Sequence, residues 1–304
     1  MPPSLLRTAL ILGLLAAVSP FAIDMYLPAM PEIERDLGTT VAGTQATITA
    51  YFISFGLAQL LYGPAADRFG RKPPIFAGLA IFGLGTIGCA LAPSIDWLIA
   101  MRLVQGFGGA ALMVVPRAIV RDMYTGPAAT RLMATIMLVI SVSPMLAPLV
   151  GSGVIALGGW RAVFWVIVAA TLASLALLAF AQPETLPVER RVPVRPSVLW
   201  AGAGILMRDP VFLGLTAVGG LGMASFFVFV ASAPFVYTAA YALGPTGFSL
   251  AFAVNAVGFF AASQAAGPLG DRIGMERVVL IGAMGFAALS AALLPAPEIG
   301  RAHV

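Results

Sequence analysis

The chain has 304 residues, of which 60% are hydrophobic and only 10% charged, with a mean hydropathy of +0.97. A water-soluble domain carries about 25% charged residues, so a water-facing globule is excluded and most of this surface must meet lipid. The formal net charge of +4 is read by its position along the chain, as a topology signal, and not as an affinity for nucleic acid.

The rare residues exclude much of catalysis. His303 is the only histidine, Lys72 the only lysine and Cys89 the only cysteine. No histidine metal site, catalytic triad or disulfide can form from such a set. No Gly-x-x-x-x-Gly-Lys-Ser/Thr string occurs, so ATP hydrolysis by that route is out. An enzyme and a resident cofactor are not expected. Any transport must draw on an ion gradient or on the gradient of the substrate itself.

A membrane helix needs about 20 mostly apolar residues. Nine such segments are predicted, at roughly 8–30, 45–66, 75–93, 97–119, 132–157, 161–181, 210–237, 247–269 and 277–295 by the hydropathy rule. The first begins like a secretory signal, with Arg7 followed by an apolar run. It continues past any plausible cleavage point into Met25-Tyr26-Leu27-Pro28, and so reads as a membrane helix. With the N-terminus inside, 12 of the Lys and Arg residues lie on the inner side and 3 on the outer, which fixes the N-terminus as cytoplasmic.

Two ionisable residues fall at membrane depth, where each costs several kcal/mol unless paired or hydrated. Asp24 stands in the first span, about 10 Å from its outer end, and Arg102 in the fourth, about 7.5 Å deep at 1.5 Å per residue. Both fall in the outer half and could face one cavity. Desolvation favours a neutral carboxyl and a nearby guanidinium favours the carboxylate, a balance suited to proton exchange. The alternative is a structural ion pair, or a cap on a kink near Pro20 and Pro28.

The turn 63–74, GPAADRFGRKPP, follows the second span, and 267–278, GPLGDRIGMERV, follows the eighth. Gly-Pro-x-x-Asp-Arg-x-Gly is common to both, which marks a transporter built from two related halves. Gly63 and Pro64 are expected to end a helix and Gly70 to permit the reversal. Asp67 is expected to cap a neighbouring helix, with Arg68, Arg71 and Lys72 at the anionic inner face. Asp122 is expected to pair with Arg71. A solvated turn that only fixes topology is the alternative to a gate hinge; Asp271 and Arg272 in the second copy favour the hinge. Arg117 lies close enough to the inner surface to snorkel.

The fifth span carries Pro144, Pro148 and Gly151, which suit bending and close helix packing. Tyr26, Tyr51 and Gln105 in the first half, and Phe226, Tyr237, Asn255 and Phe259 in the second, are candidates to line a cavity for a bulky, partly apolar substrate. The Pro- and Arg-rich stretch 182–209 reads as a cytoplasmic linker on the membrane surface. The chain thus divides into a six-helix half, 1–181, the linker, and the first three helices of a second half, 210–297. The tail 298–304 back-translates as GAG ATC GGA AGA GCA CAC GTC, the start of a common sequencing-library adapter. It is expected to be non-native, with the natural chain continuing after about Pro297.

These strings resemble a known family. GPAADRFGRKP resembles the loop 2–3 signature of the major facilitator superfamily, and RLVQGFGGA at 102–110 its helix 4 motif. AIDMYLPAMP at 22–31 resembles the helix 1 motif of twelve-helix drug–proton antiporters. APLVGSG at 147–153 resembles the antiporter motif of helix 5, with Ala147 and Ser152 where glycines are usual. With VVPRAIVRDMY at 114–124 and the ETLP after the sixth span, the likeness is to the Bcr/CflA group of bicyclomycin and chloramphenicol resistance exporters. The resemblance implies an all-α polytopic fold of twelve helices, nine of them in this chain, whose halves rock as a monomer in the bacterial inner membrane. It implies export of hydrophobic drugs in exchange for protons. Asp24 would carry the proton, Arg102 would influence its release, and Asp67, Arg71 and Asp122 would form an inner gate. An uptake carrier for a small metabolite, or a nonfunctional fragment, are the alternatives.

Overall fold

A computed structural model describes residues 5–193 and 196–292. Among them the chain is helical throughout: α1 (Leu5–Asp24), a 3-10 turn (Leu27–Ala29), α2 (Met30–Asp36), α3 (Val41–Phe69), α4 (Lys72–Ala90), α5 (Ile95–Met123), α6 (Gly126–Ala181), α7 (Pro196–Leu206), α8 (Pro210–Tyr241), α9 (Pro245–Ile273) and α10 (Met275–Ala292). Eight helical stretches are long and apolar enough to cross a membrane. The fifth and sixth expected spans lie in one of them. α6 is interrupted at Gly158 and Gly159, Gly159 with φ +70°, and this break falls between the expected 132–157 and 161–181. The tail 298–304 and the end of the ninth expected span lie outside the described residues.

Local chemistry explains the remaining boundaries. The first span stops as a regular helix at Asp24, because Pro28 and Pro31 enforce a 3-10 turn and a new start at Met30. Thr40 caps α3 by accepting from Gly43 N at 3.1 Å, and Ser94 caps α5 by accepting from Trp97 N at 3.3 Å. The expected helix end at Gly63-Pro64 does not occur. α3 continues through Pro64 to Phe69, since a membrane helix can absorb one missing amide donor. The reversal sits instead at Gly70, φ +95°. The linker is partly structured, with a 3-10 turn over Val188–Arg190 and α7.

The first half packs around α5. Glycines of its RLVQGFGGA string bring backbones into contact: a Cβ on Gly106 would strike the carbonyl of Tyr51 on α3, and one on Gly108 would strike Phe82 on α4. In lipid such close approach, and not hydrophobic burial, drives helix association. The second half touches the first near one end. Gln45 Nε2 donates to Ala231 O at 3.2 Å, Ser249 Oγ donates to Pro148 O at 2.8 Å, and the rings of Phe52 and Phe227 lie 3.9 Å apart. Towards the Gly70 and Gly274 end the contact is lost: no residue in 210–229 or 257–273 is buried.

Candidate functional site

Asp24 closes α1 and is 8% exposed. Its Oδ2 accepts from Ser143 Oγ of α6 at 2.9 Å, and no ion pair joins it to any described cation. Arg102 of α5 is fully buried. Its guanidinium lies between the rings of Tyr26 and Tyr51, 4.5 and 4.7 Å from their centroids. Nη1 donates to Gln105 Oε1 at 2.6 Å, while Nε and Nη2 have no acceptor. The structural ion pair considered from sequence is therefore not formed. The Tyr51 ring that covers Arg102 also reaches α1, where its hydroxyl shares a 2.7 Å hydrogen bond with Ser19, five residues before Asp24.

The cavity candidates divide in two. Tyr26, Tyr51 and Gln105 are completely buried and form the shell of Arg102; they do not line an open cleft. The reason is charge: a guanidinium in lipid recruits the nearest aromatic faces and amide oxygen. In the second half, Phe226 stacks with Phe259 at 5.8 Å, and the Tyr237 hydroxyl accepts from Asn255 Nδ2 at 3.2 Å. Clefts do open where the halves meet. One of about 480 Å³ is lined by Gln45, Phe52, Phe227 and Ser232, and one of about 450 Å³ by Glu32, Arg35, Thr238 and Phe248. Pro148 and Gly151 lie on the α6 segment facing α1 and α9, and Pro144 is in the same helical segment next to Ser143.

A charge network closes the other end of the first half. Arg71, 7% exposed, donates through Nε to Asp122 Oδ2 at 2.6 Å, through Nη2 to Asp122 Oδ1 at 3.2 Å and through Nη1 to Asp67 Oδ1 at 2.6 Å. The expected Arg71–Asp122 pair is present. Asp67 does not cap α4. Glu184 does, accepting from the amides of Arg71 at 2.8 Å and Lys72 at 3.0 Å. It also accepts from its own loop, at Thr185 N and Leu186 N, both 2.9 Å. Burial pushes the Glu184 carboxyl up, and these four backbone N–H bonds outweigh it, holding the group below the usual glutamate range. The linker continues across the turn, where Val192 N donates to Asp67 O at 3.0 Å. The sequence alone gives Glu184 of ETLP no role; a carboxylate at the start of the Pro- and Arg-rich linker, opposite an uncapped Lys-Pro-Pro helix start, is the available signal. Lys72 Nζ reaches Ala179 O at 3.4 Å, Arg68 covers the Phe69 ring, and Asp271 and Arg272 form no ion pair among the described residues.

Residues 12–304 match the model of the Major Facilitator Superfamily. The chain belongs to the major facilitator superfamily. Members of this superfamily are transporters, so the chain is a multi-pass membrane protein and not an enzyme. It is 32% identical over 272 residues to a bicyclomycin resistance protein homologue of Haemophilus influenzae, covering 90% of this chain and 68% of the relative. It is 32% identical over 297 residues to a chloramphenicol resistance protein of Pseudomonas aeruginosa, covering 97% of this chain and 70% of the relative. These relatives place it beside the Bcr/CflA resistance group. In fold it is similar to a bacterial homologue of the human lysosomal transporter Spinster, with TM-score 0.74, 17% identity, and coverage of 90% of this chain and 64% of that one. The chain thus spans about seven tenths of these resistance relatives and 64% of the Spinster homologue.

Proposed function

We propose that this chain exports hydrophobic drugs across a bacterial inner membrane in exchange for protons, by alternating access. The observation that carries the reading is Asp24: a carboxyl sealed in a membrane helix, held by one serine hydroxyl and without a counter-ion. Such a group is costly as an anion and has one economical use, to take up and release a proton. Arg102, fully buried in the same half with Nε and Nη2 unpaired, influences the release of that proton. The resistance names of the relatives support drugs as substrate.

The halves meet near the end that the charge distribution puts outside and separate at the Gly70 end, which supports a state open to the cytoplasm. There Asp67, Arg71, Asp122 and Glu184 brace the first half, and Asp271 and Arg272 mark the matching turn of the second. Gly70 shapes the turn of the first half, with Arg68 and Lys72 on either side of it, while Gly63 lies inside α3. Phe226, Tyr237 and Phe259 offer aromatic surface for the drug and Asn255 a hydrogen-bonding amide. No cofactor is needed beyond the proton gradient, and a monomer suffices.

The test is drug-dependent proton movement in everted membrane vesicles. Antiport predicts that adding drug releases lumenal protons, and that Asp24→Asn abolishes this while the protein still reaches the membrane. Proton movement of the opposite sign would favour an uptake symporter, and normal flux in Asp24→Asn would sink the proton-site assignment.

A further inference from the structure

A cleft of about 740 Å³ runs between α1 and α6, roomier than either of those where the halves meet. Its floor includes the buried Val18 and Ile167, and its rims the exposed Leu14, Leu146 and Val166. Ser174 is its one polar lining residue. In a membrane-spanning chain such rims meet lipid tails, so the cleft opens sideways into the bilayer.

One contact gives the register of the two helices. Arg7 Nη2 of α1 donates to Ala181 O at the end of α6 at 3.5 Å. Seven residues inward along each antiparallel helix stand Leu14 and Ser174, and both line the cleft. The groove therefore leads directly away from the Arg7–Ala181 contact. From Leu14 to Met25 it extends about 16 Å at 1.5 Å per residue. That is about half of a 30 Å hydrocarbon core, the depth of one leaflet.

The mouth of the groove is basic. A second cleft of about 400 Å³ is lined by Arg7, Lys72 and the α6 end from Ala179 to Pro183, with no carboxylate among its lining residues. Lys72 Nζ reaches Ala179 O at 3.4 Å. The carboxylate of Glu184, next in the chain, is turned to the amides of the α4 start and of its own loop. α6 has no basic residue in its own last turn, so Arg7 and Lys72 bring the positive charge that a helix C-terminus favours. The helix end explains where the two cations stand. It does not explain why an apolar groove one leaflet deep runs on from them.

We propose that the α1–α6 groove and its basic mouth form a binding site for one anionic phospholipid, an acyl chain lying along the groove and the phosphate held at Arg7 and Lys72. The chemistry of both parts selects this occupant. A free anion would leave the groove unused, and a zwitterionic lipid would bring an ammonium towards two cations. The charge distribution puts this end of the chain at the cytoplasmic leaflet, whose anionic surface attracts basic residues. Lipid binding here does not depend on proton antiport.

The lipid for the test is 1-palmitoyl-2-oleoyl-phosphatidylglycerol, titrated into the detergent-purified full chain while its thermal unfolding midpoint is followed. The midpoint should rise and saturate. Phosphatidylcholine with the same chains should act only at much higher concentration, and inorganic phosphate should have no effect. Each cation near an anionic headgroup contributes about five-fold in affinity. Arg7→Gln combined with Lys72→Gln should therefore raise the half-saturating lipid concentration about thirty-fold, and Arg7→Lys combined with Lys72→Arg should keep the wild-type value. Ala173→Phe, which narrows the groove and leaves both cations, should also weaken binding. Equal action of phosphatidylcholine would overturn the headgroup site, leaving a groove for any lipid. Equal action of inorganic phosphate would overturn the groove, leaving a pocket for a free anion. Wild-type half-saturation in the glutamine pair refutes the role of the cations. Should that pair fail to fold, unchanged half-saturation in Ala173→Phe refutes the lipid site by itself.

Discussion

Gly151 offers a sharp test of how the proton site is built. A Cβ placed there would lie 2.5 Å from the carbonyl oxygen of Met25 and 3.0 Å from its Cα, where ordinary contact begins at 3.4 Å. In Gly151→Ala, α6 must therefore withdraw from α1 by about 0.9 Å, or the Met25 backbone must move. Met25 follows Asp24 directly, and Ser143 is on the same α6 segment as Gly151, so the 2.9 Å bond from Ser143 to Asp24 lengthens out of hydrogen-bonding range. Overpacking of this kind costs about 1–3 kcal/mol. Alanine also gains up to about 1 kcal/mol over glycine within a helix, which blurs a single measurement. Gly153 removes the ambiguity: it sits two residues further along the same helix, with nothing within 4 Å of its would-be Cβ. Helix propensity cancels between the two alanine variants, and what remains is the contact. Unfolding of the purified protein in mixed detergent–SDS micelles should place Gly151→Ala about 1–3 kcal/mol below Gly153→Ala, and drug-dependent proton flux should fall only in the former. A difference below about 0.5 kcal/mol, within the usual range for unconstrained surface changes, would refute the close α1–α6 approach at Asp24.

At the inner network, Asp122→Asn should lower stability by about 1–3 kcal/mol, because a neutral amide with one acceptor and one misplaced donor replaces the bidentate carboxylate on a buried guanidinium. The corresponding loss for Asp67→Asn, whose carboxylate is half exposed, should be below about 1 kcal/mol in the same unfolding assay. Glu184 predicts a pH dependence of definite sign. Its carboxyl is held below the ordinary value of 4.5 in the folded chain, so its stabilisation is present above that value and is lost as the pH falls through the lowered one. Hydrogen exchange at the Arg71 and Lys72 amides, corrected for intrinsic rates, should quicken in acid in the wild type and be fast and pH-independent in Glu184→Gln.

The sequence made the apolar spans, the charge asymmetry and the repeated turn readable because each depends on composition over many residues. Asp24 and Arg102 were readable because an ionisable residue in lipid has few explanations. What could not be read was partner choice. Tyr26 and Tyr51 look the same on paper whether they face a drug or a guanidinium, and only the packing of α3 against α5, set by the contact at Gly106, decides it. Asp67 and Glu184 are both carboxylates within reach of the α4 start. The cap went to Glu184 because Asp67, still inside α3, was already committed to Arg71 four residues along. The break at Gly158 and Gly159 was foreseen as two spans, whereas the continuation of α3 through Pro64 was not, since proline weighs less against a helix in lipid than in water.

The two copies of the turn carry a lesson about what an internal repeat preserves. Gly70 and Gly274 both take positive φ, +95° and +89°, so the backbone reversal is common to the halves and explains the shared glycine. The charges are not common. In the second copy Met275 stands where the first has Arg71, and Glu276 where it has Lys72. Without a guanidinium at that place, the second turn cannot make the bridge that joins Asp67, Asp122 and, through the α4 amides, Glu184. Among the described residues the charge bridge is built into the first turn alone, so the repeat has kept the backbone reversal that glycine permits and let the charges around it diverge.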